Sequence, residues 1–224
     1  MQTPDELTSA LLKERLAGTR APEDPFDVVM PAGSEQWPDF VRERIAQTLR
    51  PAGVLIPVIE RLAGLSVLLT QRSAELKHHA GQVSFPGGRL EDHDRDVVQA
   101  ALRETHEEVG IPPHSVSVIG YLPPMPTVTG YAVTPVVGLL EEDVSLQIDT
   151  TEVESAFEVP LAFLLDRRNE LALEREYRGQ RIPTVEFHYE GERIWGATAH
   201  IPVSYTHLRA HETLRSISYA VFCL

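Results

Sequence analysis

Cysteine is almost absent from this chain: the one thiol is Cys223. An internal disulfide is therefore excluded, and the composition fits a reducing, cytoplasmic compartment. No apolar run approaches the roughly 20 residues that a membrane-spanning helix requires, so no membrane association is expected. The opening MQTPDELTSALLKERLAG is charged and helix-like and lacks the apolar h-region of a signal peptide. Positive charge is also scarce. Lys and Arg number 20 against 33 Asp and Glu, a formal net charge of −13. That balance argues against extended nucleic acid as a partner, because such a partner needs a basic face. Several chemistries lack their signatures as well. There is no C-x-x-C or H-E-x-x-H, His78-His79 has no matching ligand spacing, and no G-x-S-x-G elbow occurs. Internal repeats and low-complexity segments are missing too.

What is present suffices for one ordinary soluble domain: 224 residues, 42% of them hydrophobic, can bury a sizeable core. Helices are expected over Pro4–Leu16 and Glu35–Leu49, separated by a Pro-rich connector at Ala21–Pro31. Neither carries obvious chemistry, and a packing or homodimer role is their default. Val54–Glu60 and Leu65–Gln71 read as a β-hairpin. Ser115–Leu122 and Tyr131–Leu140 read as strands joined by PPMPTVTG, a loop long enough to cover a ligand. Thr151–Leu165 is expected to be helical, and Arg181–Tyr189 with Glu192–Gly196 to form a second hairpin. Strands, a long helix, then more strands predict an α/β or α+β arrangement, with a mixed sheet between helices.

The most informative stretch is Gly81–Ile111, GQVSFPGGRLEDHDRDVVQAALRETHEEVGI. Val97, Val98, Ala101, Leu102, Thr105 and Val109 recur at helical spacing and predict a helix over Asp96–Gly110. Asp94 and Asp96 suit its positive end, while Gly110 followed by Pro112-Pro113 stops it. Its polar face runs against helix stability. Glu104 and Glu108 share one face, Glu107 lies beside them, and like charges at this spacing cost roughly 0.2–0.5 kcal/mol per pair. A solvated acidic face is the plain reading of such a cluster. A hard divalent cation, which seeks carboxylate oxygens, reverses the sign of the interaction. Phe85-Pro86-Gly87-Gly88 immediately upstream is a turn whose glycines permit positive φ and close backbone approach to a ligand.

Gly88, Arg103-Glu104, Glu107-Glu108, Gly110 and Ile111 resemble the Nudix box, G-x5-E-x7-R-E-U-x-E-E-x-G-U, of the Nudix hydrolases. Three departures stand out. One extra residue lies between Gly88 and Arg103, Asp94 takes the first acidic position, and Thr105 replaces an aliphatic residue. The extra residue is similar to the coenzyme A pyrophosphatase branch. So is the preceding Leu68-Leu69-Thr70-Gln71-Arg72-Ser73, then Gly81 and FPGG. Weaker similarity extends from about Val54 to Ala199, through Thr129–Gly138, Phe157–Asp166 and Ile194–Ala199. The resemblance implies an α/β/α sandwich with a mixed central β-sheet. It also implies residues 1–50 as a helical extension and 51–201 as the Nudix domain.

The implied activity is metal-dependent hydrolysis of a diphosphate in coenzyme A or its thioesters, a small-molecule substrate. The products would be 4′-phosphopantetheine derivatives and 3′,5′-ADP. Another nucleoside diphosphate derivative, or a catalytically silent nucleotide-binding module, are the competing readings. Glu104 and Glu108 are expected to hold Mg²⁺ or Mn²⁺, with Glu107 as a third ligand or a water-mediated contact. Arg103 would orient the loop and the glutamates. The general base is left open between a box glutamate such as Glu107 and the later carboxylates Glu152 and Glu154. An acidic protein must concentrate positive charge locally for an anionic substrate. Arg72, Lys77, His78, His79 and Arg89 are the available sources, and Gly87 and Gly88 would allow close backbone approach.

The end of the chain departs from the rest. Within Pro202–Leu224, VSYTHLRAHET resembles translated sequencing-adapter read-through. Residues 202–224 are expected to be a non-native tail replacing a terminal amphipathic helix. His207, His211 and Cys223 are accordingly not read as functional groups.

Overall fold

The computed structural model describes residues 7–30, 38–46, 49–177 and 179–202. The outer parts of both expected N-terminal helices, and all but the first residue of the 202–224 tail, lie outside the described residues. Within them run α1 (Ser9–Leu16), α2 (Asp39–Ala46), β1 (Arg50–Arg61), β2 (Gly64–Arg72), β3 (Val83–Ser84) and β4 (Gly87–Arg89). There follow α3 (Val97–Val109), β5 (Val116–Tyr121), β6 (Met125–Pro126), β7 (Tyr131–Leu140), β8 (Val153–Pro160) and α4 (Leu161–Leu165). β9 (Leu171–Tyr177), β10 (Gln180–Tyr189) and β11 (Glu192–Trp195) complete the strands. No helix among the described residues is long and apolar enough to cross a membrane.

The central sheet is mixed. Its order is β3-β2-β1-β7-β5, with β4 on β1, β6 on β7 and β8 on β2. β1 and β7 run parallel from Arg50↔Tyr131 to Ile59↔Leu140, whereas the β1–β2 hairpin is antiparallel. β1 is apolar on both sides because both of its faces are covered. Leu55 packs with Ala101 and Val136, and Ile59 with Leu68, Val109 and Ile111, all on the α3 side. Ile56 and Val58 pack on the opposite side with Leu12 and Leu16 of α1 and Leu161 and Leu164 of α4. The result is the α/β/α sandwich with a mixed central sheet. A second, three-stranded sheet, β11-β10-β9, buries Val185, Phe187 and Ile194 in the α1/α4 layer. Phe163 of α4 lies against Tyr189 there, ring centroids 5.0 Å apart.

α1 is built into this core. Thr8 caps it by accepting from Leu11 N–H, and Leu12 and Leu16 are buried. It lands on β5 at Gly120, where an added Cβ would meet Leu16 Cβ at 2.6 Å. Thr19 Oγ1 then accepts from Tyr121 N–H at 3.0 Å.

One expected element is wrong. Thr151–Leu165 is mostly strand: β8 pairs antiparallel with β2 from Ser66↔Pro160 to Arg72↔Val153, and only Leu161–Leu165 is helical. Val153, Phe157 and Val159 suit a pleated surface, and pairing to β2 decides the outcome over the weak helical preference of Glu and Ala. Pro160 then ends the strand and opens α4. β9, absent from the sequence reading, is an edge strand whose LALEREY sequence carries no β-branched residue.

α3 approaches β1 so closely that one position admits no side chain. A Cβ on Gly53 would sit 1.9 Å from Val97 O and 3.2 Å from Ala101 Cβ. Gly53→Ala is expected to destabilise the protein by about 2–3 kcal/mol through overpacking, although alanine in a strand interior normally stabilises relative to glycine. Urea unfolding of the two proteins measures it, and an unchanged midpoint contradicts the close approach.

Candidate functional site

α3 begins and ends cleanly. Asp96 accepts from Gln99 N–H at 2.8 Å, and Gly110, at φ 75°, takes the left-handed conformation and returns its N–H to His106 O. Its buried stripe contains the expected Val97, Ala101, Thr105 and Val109. It also contains Glu108, only 1% exposed, which the apolar pattern did not reveal.

Arg103 organises the acidic groups around it. Its Nε and Nη2 grip Asp94 bidentately at 3.0 and 2.9 Å. Nη1 donates to Glu104 and to Glu107, both at 2.9 Å, and Nη2 also reaches the Arg89 carbonyl at 3.3 Å. The Asp94 side chain has no exposure, so its charge must be met inside the protein. The hydrogen bond from Arg103 holds the Asp94 carboxyl below the usual carboxylate range, and the Asp94 hydrogen bond raises Arg103 in turn. The extra residue between Gly88 and Arg103 thus leaves Asp94 in bidentate reach of Arg103.

The two glycines ahead of the helix have steric causes. A Cβ on Gly88 would lie 2.4 Å from the Glu104 carboxyl carbon, so the Glu104 carboxylate occupies that space. Gly87, at φ 148°, would drive a Cβ within 2.4 Å of Gly53 O. In the β1–β4 ladder these glycines sit opposite Gly53 and Val54.

Glu108 reaches between them. Its carboxylate accepts from Gly87 N–H at 3.3 Å and from Arg72 Nη1 at 3.3 Å. Burial pushes its pKa up to about 8. Arg72 and the Gly87 N–H pull the other way, and the charges of Glu104 and Glu152 add to the rise. Burial likewise raises Glu104, against the opposing pull of Arg103.

Glu152 completes the group. One carboxylate oxygen each from Glu104, Glu108 and Glu152 lie within 4.8 Å of one another. Oxygen donors so grouped suit a hard divalent cation, which needs few protein carboxylates beside water and substrate oxygens. The raised pKa of Glu108 is what crowded, buried carboxylates show when no cation is counted. The residues present therefore fit Mg²⁺ or Mn²⁺.

The other sequence-designated residues lie outside this trio. Glu107 is outside the trio, with its side chain 55% exposed and held by Arg103. Glu154 is exposed on β8, at the bulge opposite Gln71 and Arg72. Lys77, His78 and His79 are exposed on the turn between β2 and β3. His79 adopts φ 58° there and its Nδ1 bonds Gln82 at 2.8 Å. Arg89 is exposed and paired with Glu91 at 2.6 Å. Sequence spacing could not place Glu152 beside Glu104, because the approach depends on β8 pairing with β2.

The chain matches the NUDIX domain family model over residues 49–178. It is 49% identical over 152 residues to the uncharacterised Nudix hydrolase NudL of Escherichia fergusonii, a match covering 68% of this chain and 79% of the relative. The Escherichia coli O1:K1 / APEC relative of the same description is 48% identical over the same lengths. A solved Nudix hydrolase from M. smegmatis, RenU, is 18% identical and aligns with a TM-score of 0.49, covering 76% of this chain and 91% of that one. The family match spans more than half of the chain and includes Arg103, the three converging carboxylates and the glycines beneath them: this chain belongs to the Nudix hydrolase family.

Proposed function

We propose that this Nudix hydrolase uses Mg²⁺ or Mn²⁺ to cleave the diphosphate of coenzyme A or its thioesters. Water is added across the anhydride, giving 4′-phosphopantetheine or its acyl derivative and 3′,5′-ADP. The observation that carries the hydrolytic reading is the convergence of Glu104, Glu108 and Glu152 within 4.8 Å. The choice of substrate is supported by the LLTQRS and FPGG signatures at Leu68–Ser73 and Phe85–Gly88, which resemble the coenzyme A pyrophosphatase branch.

In this reading Glu104, Glu108 and Glu152 hold the cation. The bound ion supplies charge neutralisation at the diphosphate and makes nearby water more acidic. Glu152, the exposed member of the trio, accepts the proton from the attacking water, a contribution of about 10²–10⁴ in rate. Arg103 orients Glu104 and the Gly87–Arg89 strand and does not touch the reacting atoms. Arg72 and Lys77 and, after release from Glu91, Arg89 offer positive charge to the substrate phosphates. The Arg72 contact to Glu108 is long, and its Nε is buried with no hydrogen-bond partner among the described residues, so redirecting the guanidinium to a phosphate oxygen breaks little.

Glu108→Gln is expected to lower metal-dependent cleavage of coenzyme A by about 100-fold or more, since removing even an outer-shell support of a metal site costs about 10–100-fold. Release of 3′,5′-ADP followed by mass spectrometry checks it. A folded wild-type protein that leaves coenzyme A intact with Mg²⁺ and Mn²⁺ refutes the substrate assignment and directs the search to other diphosphates. Wild-type activity in Glu108→Gln refutes the ligand assignment.

Arg103→Ala and Asp94→Asn each break a buried ion pair and are expected to cost about 3 kcal/mol at neutral pH. The pH dependence has a defined sign. Asp94 titrates lower when folded than when unfolded. Its stabilisation is therefore complete above the unfolded value near 4 and is lost as pH falls through the lower folded value. Asp94→Asn should flatten the acid limb of the stability profile below about pH 4, and an unaltered acid limb in thermal melts contradicts this.

A further inference from the structure

The end of α3 and the origin of Glu152 are one construction. A helix leaves its last carbonyls without intrahelical partners, and here a distant loop supplies two. Gln147 N–H donates to Val109 O at 2.9 Å, and Asp149 N–H donates to Glu108 O at 3.0 Å. The fit is close, since a Cβ on Gly110 would lie 2.6 Å from Gln147 Cβ.

Asp149 then folds the chain into a turn. Its Oδ1 accepts from Thr151 N–H at 2.9 Å and from Thr151 Oγ1 at 2.7 Å. Its carbonyl accepts from Glu152 N–H at 3.1 Å and Val153 N–H at 2.9 Å. Past the turn, Ser73 N–H donates to Glu152 O at 2.8 Å, immediately after Arg72, the residue that faces Glu108. The Glu152 backbone is thus tied on one side, through Asp149, to the carbonyl of Glu108 and on the other, directly, to Ser73, the neighbour of Glu108's cationic partner. Glu152 is exposed, and an exposed glutamate on an unanchored loop would lose rotamer and backbone freedom on joining a metal site.

We infer that Asp149 and Thr151 are positioning residues for the Glu152 carboxylate, setting its distance from Glu104 and Glu108 and so raising the affinity of the three for a divalent cation. The inference rests on the reading of Glu152 as a ligand given above. The Asp149 Oδ1 is taken by Thr151, and Asp149 is not one of the three converging carboxylates. Groups that orient metal ligands typically change affinity by about 10–100-fold when removed.

Mn²⁺ alone is the probe, titrated into the full chain and followed by electron paramagnetic resonance, with folding monitored by thermal melts. Asp149→Ala and Thr151→Val should each weaken Mn²⁺ binding about 10-fold or more, as Glu152→Gln does. Thr151→Ser, which restores the hydroxyl, should bind like wild type. Asp149→Ala combined with Glu152→Gln should bind no more weakly than Glu152→Gln alone, because both changes remove the same contribution. Thr151→Val deletes a single hydroxyl and keeps the test usable if Asp149→Ala fails to fold. If Glu152→Gln weakens binding while Asp149→Ala and Thr151→Val do not, the positioning role alone is overturned. If Glu152→Gln binds Mn²⁺ like wild type, the assignment of Glu152 as a ligand falls and takes this inference with it.

Discussion

Arg103 sits where four groups need a cation or a donor, and the shape of the guanidinium is what allows one side chain to serve them all. Five N–H donors in a rigid plane let one edge grip Asp94 while the remaining Nη1 reaches Glu104 and Glu107. A lysine ammonium is a point charge and cannot span these directions. The consequence runs outward from the contact. Asp94 fixes the loop ahead of α3 by also accepting from Glu91 N–H, and the Arg89 carbonyl ties β4 to the same guanidinium. Glu104 is turned toward the space above Gly88. Without that cation, Glu104 and Glu107 would repel one another one turn apart on one helix, and Asp94 would be a buried charge without its bidentate partner.

Absent side chains set the second constraint. Gly53, Gly87 and Gly88 lie together where β1, β4 and α3 meet, and each is required by what already fills the space. The Val97 carbonyl stands over Gly53, the β1 backbone over Gly87, and the Glu104 carboxylate over Gly88. Close approach of helix and sheet brings Glu104 and Glu108 down to the turn, where the Gly87 N–H can meet Glu108. Two of the three glycines lie in FPGG, which a reader of sequence assigns to a ligand. Here their first effect is to admit the protein's own carboxylate and strand.

How much of this was legible in the sequence depended on whether the signal was local. α3, its caps, the β1–β2 hairpin and β7 follow from periodicity and from Gly and Pro punctuation, all carried within one segment. The pairing of Arg103 with the box glutamates was implied by the resemblance to the Nudix box. The convergence of Glu152 was not, since β8 had been taken for helix and its pairing with β2 is a long-range event. The burial of Glu108 was hidden for another reason. A carboxylate interrupts the apolar stripe, so periodicity counts it as solvent-facing, while the tertiary structure covers it with β2, β4 and the loop carrying Glu152. β9, LALEREY, is made largely of residues that favour helix and lacks β-branched ones, so it does not announce itself as a strand.

Charge distribution links these local facts to the chemistry proposed. The chain carries a net −13, and an anionic diphosphate approaching such a surface is repelled unless the field reverses near the site. On the proposed reading two sources reverse it. A divalent cation held by Glu104, Glu108 and Glu152 offsets the three carboxylates at short range, where screening by salt is weakest. Arg72 borders the same centre through its contact with Glu108. The two sources are coupled, because Arg72 now faces Glu108, the group most disfavoured as an anion by its burial. A cation that takes over that carboxylate leaves Arg72 with less to hold it in place. That guanidinium then becomes available to the phosphate. The long 3.3 Å contact between Arg72 and Glu108 suits a partner that must let go, just as the short bidentate grip of Arg103 on Asp94 suits one that must not.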